Sequence, residues 1–274
     1  MPDIFISTSC LGGTRDLREI LEIYRVNGIR NVELSGGLDC MDDAGGVIDD
    51  YQNFDFLIHN YFPPAKEPFI LNLAAQDHEI REKSVALCKR SINLCRRIGC
   101  KIYTFHPGFR VERTLGPNFD MVGSKLVSYD LAFSNFMKSI EDMSAYAKGR
   151  GIKIALENLE HRNDAYMMTQ PYEFANFQEM FPEVGVLLDL GHLKIASKRC
   201  GFEVDEFVRA TRDNTVEVHI HDNDGERDMH NEPLAGNMME LLRTIGCGTV
   251  VLESRNLNIE RIILNLHALK QILA

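Results

Sequence analysis

Short apolar runs rich in β-branched and aromatic residues alternate eight times with longer amphipathic stretches along the 274 residues. Parallel strands that crossover helices bury on both faces produce this alternation. The predicted strands are IFISTS (4–9), NVELSG (31–36), FLIHNYF (56–62), KIYTFHP (101–107), KIALENL (153–159), VGVLLDLGH (184–192), VEVHIHD (216–222) and TVVLES (249–254). The predicted helices span 16–28, 42–52, 78–99, 128–151, 172–181, 204–213, 237–246 and 259–274. Because no Pro-rich or Gly/Ser-rich linker interrupts the pattern, we predict an α/β fold, a single (β/α)8 TIM barrel that residues 1–274 form as one domain.

Composition narrows the functional classes. The chain carries 30 basic and 40 acidic residues, a formal net charge of −10, which opposes the phosphate neutralisation that nucleic-acid binding requires. No run of about 18 apolar residues predicts a membrane span, and the start has no basic segment before an apolar core, so we expect a cytoplasmic protein. The seven cysteines are scattered without a C-x-x-C pair, which disfavours both a disulfide framework and a cysteine zinc site.

Metal-binding residue types fall at the ends of the predicted strands. Six of the nine histidines lie there or just beyond: His59, His106, His192, His219, His221 and His230. Acidic residues occur at equivalent depth: Glu157, Asp189, Asp222, Asp224, Asp228 and Glu253. A closed parallel barrel brings all of its strand ends to one mouth, where the active sites of such barrels lie.

A carboxylate on an otherwise apolar strand, as in IALENL or VVLES, is costly to bury unless it is paired or coordinates a cation. Repetition of that cost on several strands predicts a shared divalent ion, because carboxylate oxygen and imidazole nitrogen are ligands that zinc and manganese accept. His219 and His221 face the same way on one strand. We therefore expect crowding to make one of them a ligand and the other an orienting neighbour.

Five motifs in series resemble the xylose-isomerase-like barrel superfamily, which contains sugar isomerases, epimerases and endonuclease IV. They are FHPG (105–108), LENL (156–159), DLGH (189–192), HIHDNDGERDMH (219–230) and LES (252–254), and the similarity covers about residues 55–255. The resemblance to the epimerases implies a mononuclear site with the metal ligands Glu157, Asp189, His221 and Glu253, and substrate contacts from His192 and Arg227. The resemblance to endonuclease IV implies additional ligands at His59, His106, His192, Asp228 and His230. The implied cofactor is one to three divalent ions, Mn, Zn, Co or Mg.

These resemblances imply two reactions on one site. In an isomerase or epimerase of a sugar or sugar phosphate, Glu157 and Glu253 act as general base and acid, and His192 and Arg227 hold substrate oxygens. In a multinuclear zinc phosphodiesterase, either an abasic-site endonuclease or a small-molecule phosphoester hydrolase, the same glutamates are only ligands. The long loops FPPAKEPF (62–69) and RVERTLGPNFDMVGSK (110–125) are predicted rim elements. These loops, together with EHRNDAYMMTQ (160–170) and DNDGERDMHNEP (222–233), are mixed or acidic and contain few basic residues, so we favour the isomerase, with a small sugar and not a nucleic acid as partner. The resemblance also allows a homo-oligomer.

Overall fold

The computed structural model describes residues 2–112, 125–233 and 238–274, and it shows a closed barrel of eight parallel strands. The strands are β1 (Asp3–Ser7), β2 (Asn31–Leu34), β3 (Asp55–His59), β4 (Ile102–Phe105), β5 (Lys153–Glu157), β6 (Gly185–Asp189), β7 (Thr215–Ile220) and β8 (Thr249–Leu252). Each strand pairs with the next in chain order, and β8 pairs with β1 to close the barrel. The predicted α/β TIM barrel is thus confirmed. That residues 1–274 form one domain stays a prediction.

Helices follow the strands and cover the outside of the barrel. Within the described ranges they are α1 (Leu17–Val26), α2 (Ala44–Asp49), α3 (His78–Ile98), α4 (Tyr129–Lys148), α5 (Pro171–Met180), α6 (Leu190–Cys200), α7 (Val204–Thr211), α8 (Met238–Ile245) and α9 (Ile259–Leu273). Their apolar faces bury aromatic side chains such as Tyr24, Phe136, Phe174 and Phe207 against the strands. This packing makes the barrel a rigid frame for the residues at its mouth.

The predicted course of the chain after strand six is wrong. We expected a strand as far as His192 and no helix before residue 204, but β6 ends at Asp189 and α6 begins at the next residue. The error arises because strand and helix are both buried, so the apolar run crosses the boundary without a change of pattern. Asp189 Oδ1 accepts a hydrogen bond of 2.6 Å from the backbone N–H of His192, which caps α6 and brings the His192 ring to the mouth.

Three further predictions concern the cysteines, a membrane-spanning helix and the rim loops. All seven cysteines are free thiols, as their spacing predicts. In the described part of the chain, no helix is both long and apolar enough to cross a membrane. Most of the predicted rim loop 110–125 lies outside the described residues, as does Asn237, the first residue of the helix predicted over 237–246.

Candidate metal centre

The C-terminal mouth of the barrel opens into a cavity of about 1150 Å³. Seven of the predicted site residues line it: His59, His106, Glu157, His192, Asp228, His230 and Glu253. Asp189 and His221, both fully buried, contact this set from below. The structure therefore brings nine of the ten predicted site residues together, on elements from β3 to β8.

The first cluster joins His59 at the end of β3, His106 after β4 and Glu157 at the end of β5. Glu157 Oε2 lies 2.8 Å from His106 Nε2 and 3.4 Å from His59 Nε2. These three side chains offer ligand atoms close enough to share one ion. We call them the histidine-pair group.

The central cluster lies where β5, β6, β7 and β8 end. His219 Nδ1 is 3.3 Å from Glu253 Oε2 and 3.9 Å from Asp189 Oδ2. His221 Nε2 lies 3.1 Å from the Asp189 carboxylate. Two overlapping sets could hold an ion here, Glu157 with Asp189 and His219, or Asp189 with His221 and Glu253. We call this cluster the central group; both histidines of the H-x-H motif reach it.

The third cluster, the outer group, contains His192, His221, Asp228 and His230. Asp228 Oδ2 is 2.9 Å from His230 Nε2, and Asp228 Oδ1 is 3.7 Å from His192 Nε2. The rings of His221 and His230 stack with centroids 3.9 Å apart. Of the additional ligands that the resemblance to endonuclease IV implies, His192, Asp228 and His230 lie together here, and His59 and His106 lie together in the histidine-pair group.

Buried polar atoms without partners support the presence of cations in these clusters. Within the described residues, His219 Nδ1, His221 Nδ1 and Asp228 Oδ1 are buried and make no hydrogen bond. Leaving such an atom unsatisfied costs about 1–3 kcal/mol, and more for a charged group. Because imidazole nitrogens and carboxylate oxygens are zinc and manganese ligands, this set of residues fits a divalent ion.

The carboxylates and imidazoles perturb one another strongly. Burial alone would raise the pKa of the Glu157 carboxyl, but the nearby His106 and His59 outweigh it and hold that pKa well below its usual range. Burial lowers the pKa of His59 to about 3, only partly opposed by Glu157, so this ring is neutral and able to coordinate. Perturbations of this kind in a cavity are typical of functional sites.

Two other histidines are shifted the other way. Burial disfavours charge on His219, but Glu33 and Glu253 outweigh that effect and raise its pKa well above the usual value. The pKa of His192 is also well above its usual value, because Asp189 and Glu160 outweigh the effect of burial. When no metal is bound, both shifts favour the protonated ring.

The predicted substrate contact Arg227 does not reach the cavity. Its side chain is 75% exposed, pairs with Asp224 at 2.9 Å and is not among the described residues that line the mouth. Three residues that line the cavity were not predicted from the sequence: Glu160, Arg162 and Arg255. Arg162 pairs with Glu160 at 2.6 Å, whereas exposed Arg255 forms no ion pair within the described residues.

A fully buried carboxylate below the mouth was also missed. Glu33 of β2 lies with Oε2 2.8 Å from His219 Nε2, and burial raises its pKa to about 7 although His219 opposes the shift. The pattern that predicted Glu157 and Glu253, a carboxylate on an apolar strand, also occurs here, because Glu33 lies in the strand NVEL.

Comparison with known proteins shows which family the chain belongs to. The model of the xylose isomerase-like TIM barrel family matches residues 34–272. The chain belongs to this family. The uncharacterized protein MJ1614 of Methanocaldococcus jannaschii is 26% identical over 228 residues, which cover 82% of this chain and 79% of the relative. A probable endonuclease 4 of Aquifex aeolicus is 30% identical over only 91 residues, 33% of this chain and 27% of the relative.

Solved structures of this xylose isomerase-like barrel agree with the fold. A D-tagatose 3-epimerase-like protein superposes with a TM-score of 0.74 at 20% identity, covering 100% of this chain and 97% of the other. At that identity the similarity establishes the fold alone. The superfamily resemblance inferred from the motifs is confirmed, and the roles of individual site residues stay predictions.

Proposed function

We propose that this chain is a divalent-metal-dependent isomerase or epimerase acting on a sugar or sugar phosphate. The observation that carries the proposal is the placement of Glu157 and Glu253, which line one cavity from strands β5 and β8 with Asp189 and His219 buried beneath them. Family membership and the shared fold of a D-tagatose 3-epimerase-like protein support it.

In the proposed reaction, the two glutamates transfer a proton at carbon. Glu157 would take the proton from one face of a carbon next to a carbonyl, and Glu253 would return a proton to the other face. His192, whose ring lies 3.1 Å from Glu157 Oε1, would hold a substrate oxygen. A divalent ion bound by these ligand groups would supply Lewis-acid polarisation of the carbonyl.

A second function, phosphoester hydrolysis, is favoured by one specific observation. Glu157 Oε2 faces His106 and His59, whereas Oε1 faces His192, so one carboxylate lies between two histidine clusters. Glu157 would then be a ligand in both clusters, and zinc ions held there would supply the Lewis-acid chemistry of phosphoester hydrolysis. The net charge of −10 and the acidic rim residues Glu160 and Asp228 favour a small phosphoester over duplex DNA.

Metal content and hydrogen exchange separate the two functions. We expect one tightly held equivalent of a divalent ion per chain and chelator-sensitive incorporation of deuterium from D₂O into the carbon next to the carbonyl of a ketose or ketose phosphate. Two or three tightly held zinc ions, together with chelator-sensitive cleavage of a phosphodiester and no exchange into any sugar tested, would reject the isomerase in favour of the hydrolase.

Arg255 provides a test of whether the substrate is anionic. It is exposed at the rim, lines the cavity, and its backbone N–H is fixed by a 2.9 Å hydrogen bond to His230 O. We expect Arg255→Ala to raise KM for a sugar phosphate about tenfold with kcat nearly unchanged, because a charged hydrogen bond contributes about 1.5–3 kcal/mol. Arg227→Ala, which removes an equal charge outside the cavity, is the matched control and should leave KM unchanged. An equal rise in KM in both variants would mean that the effect comes from the net charge of the protein and not from a contact between Arg255 and the substrate.

A further inference from the structure

In several site histidines, a hydrogen bond to one ring nitrogen determines which ring nitrogen faces the cavity. His192 Nδ1 lies 2.9 Å from the backbone oxygen of Asn158, and His230 Nδ1 lies 2.8 Å from that of Glu253. A carbonyl oxygen can only accept, so each ring donates through Nδ1 and presents Nε2 to the cavity. His192 and His230 are therefore anchored from the backbone.

His219 is anchored differently and in the opposite sense. Its Nε2 lies 2.8 Å from Oε2 of Glu33, and its Nδ1 points toward Glu253 and Asp189. Glu33 comes from β2, which is opposite β6 in the closed barrel and pairs with none of the strands that carry the central group. None of the residues in the three groups named above comes from β2.

Glu33 has no evident structural reason to be a carboxylate. It is 0% exposed on an apolar strand, and its Oε1 makes no hydrogen bond within the described residues. Burying a charge in this way is costly unless a partner needs it. Glu33 lies close enough to His59 and His219 for the three to share an ion, and its Oε2 makes its hydrogen bond to His219.

We infer that Glu33 is a positioning residue: it holds the proton of His219 on Nε2 and so presents Nδ1 as a metal ligand of the central group. The inference rests on the proposed metal-dependent function and deepens it. His221 lacks such an anchor, since its Nδ1 is buried without a hydrogen bond within the described residues. Its Nε2 lies 3.1 Å from Asp189 and 3.9 Å from Asp228, between the central and outer groups.

Glu217 supplies a matched control on the same ring. It is equally buried, and its Oε1 lies 3.2 Å from His219 Nε2, a longer contact than that of Glu33. Substitution of either glutamate removes one buried carboxylate beside the same nitrogen. The shorter contact predicts that Glu33, and not Glu217, sets the orientation of the ring.

The test measures zinc affinity by competition with a chelator. We expect Glu33→Ala to weaken zinc binding by about 10- to 100-fold, the usual loss when the partner of a metal-bound histidine is removed. Glu33→Gln, whose amide oxygen can still accept the bond, should lose less, and Glu217→Gln should stay within about threefold of the unsubstituted chain. If the alanine variant does not fold, Glu33→Leu decides, because leucine nearly keeps the side-chain volume and cannot accept the bond. Unchanged zinc affinity in the alanine or leucine variant overturns the inference, as does a loss in Glu217→Gln equal to the loss in that variant.

Nitrogen-15 NMR of the histidine rings in the zinc-loaded chain gives a readout that a merely structural role would not move. The His219 ring should carry a proton on Nε2 and none on Nδ1, and a proton found on Nδ1 would overturn the inference. An unsubstituted chain that binds no divalent ion would reject the proposed function itself. Normal zinc binding that is indifferent to Glu33 would reject only the role of Glu33.

Discussion

Replacing Glu157 with glutamine should lower turnover by about 10²- to 10⁴-fold, the contribution typical of a positioned acid or base. The carboxylate oxygens lie 2.8 Å from His106 Nε2 and 3.1 Å from His192 Nδ1, so the substitution turns an N–H₂ group toward a position that requires an acceptor. It also removes a ligand shared by two clusters. Metal affinity, measured by chelator competition, should therefore fall together with turnover.

The control for this experiment is Glu173→Gln. Glu173 is also buried, but its carboxylate accepts hydrogen bonds from the backbone N–H groups of Met168, Thr169 and Gln170 at the start of α5, and it does not line the cavity. Its substitution should cost about 1–3 kcal/mol of stability and leave kcat unchanged below the unfolding transition. If Glu157→Gln kept full turnover and full metal content, neither proposed function of the site would stand.

The barrel fold, and which residues lie at its mouth, could be predicted from the sequence because both follow from the periodic alternation of strands and helices. Eight alternations of strand and helix close a barrel, and residues at strand ends then converge whatever their partners. Glu157 and Asp189 came together for this reason. The β6–α6 boundary was hidden because Leu188 and Leu190 are both fully buried, although Asp189 as N-cap and Gly201 as left-handed C-cap are sequence signals for that helix.

Side-chain direction in loops could not be read in the same way. Asp224 Oδ1 accepts hydrogen bonds from the backbone N–H groups of Glu226 and Arg227, a local turn that directs Arg227 to solvent. Arg255 faces the cavity because its backbone is bonded to that of His230, 25 residues earlier in the chain. Such contacts depend on the folded backbone. The prediction from sequence spacing was therefore wrong for Arg227 and did not include Arg255.

Metal binding should become tighter as the pH rises from about 6.5 to 8.5. The carboxylates beside His219 raise the pKa of its ring, which must lose a proton before Nδ1 can coordinate the ion. For the one proton released on binding, the apparent affinity rises up to about tenfold per pH unit, so these two pH units predict up to about 100-fold. Chelator competition with zinc or manganese at several pH values measures this slope.

The stability of the metal-free chain should change in the opposite direction. A histidine whose folded pKa is raised contributes stability that is fully present below its unfolded pKa of about 6.5 and is lost as the pH rises through the folded pKa. Glu157 and Glu253, whose pKa values are lowered, contribute stability above their unfolded pKa of about 4.3 and lose it as the pH falls through the folded values. The chelated chain should therefore be most stable at mildly acidic pH.

These opposite trends predict that the difference in Tm between the metal-loaded and the chelated chain widens from pH 6.5 to 8.5. Saturation at 1,000 times Kd contributes about 4 kcal/mol, and a Kd that falls with pH adds to it. His78, an exposed histidine 3.3 Å from Glu82, gives a matched control, and His78→Gln should leave the widening intact. A Tm difference that is constant or narrows over this range would mean that the ion does not displace protons from the buried histidines, and would place metal binding elsewhere on the chain.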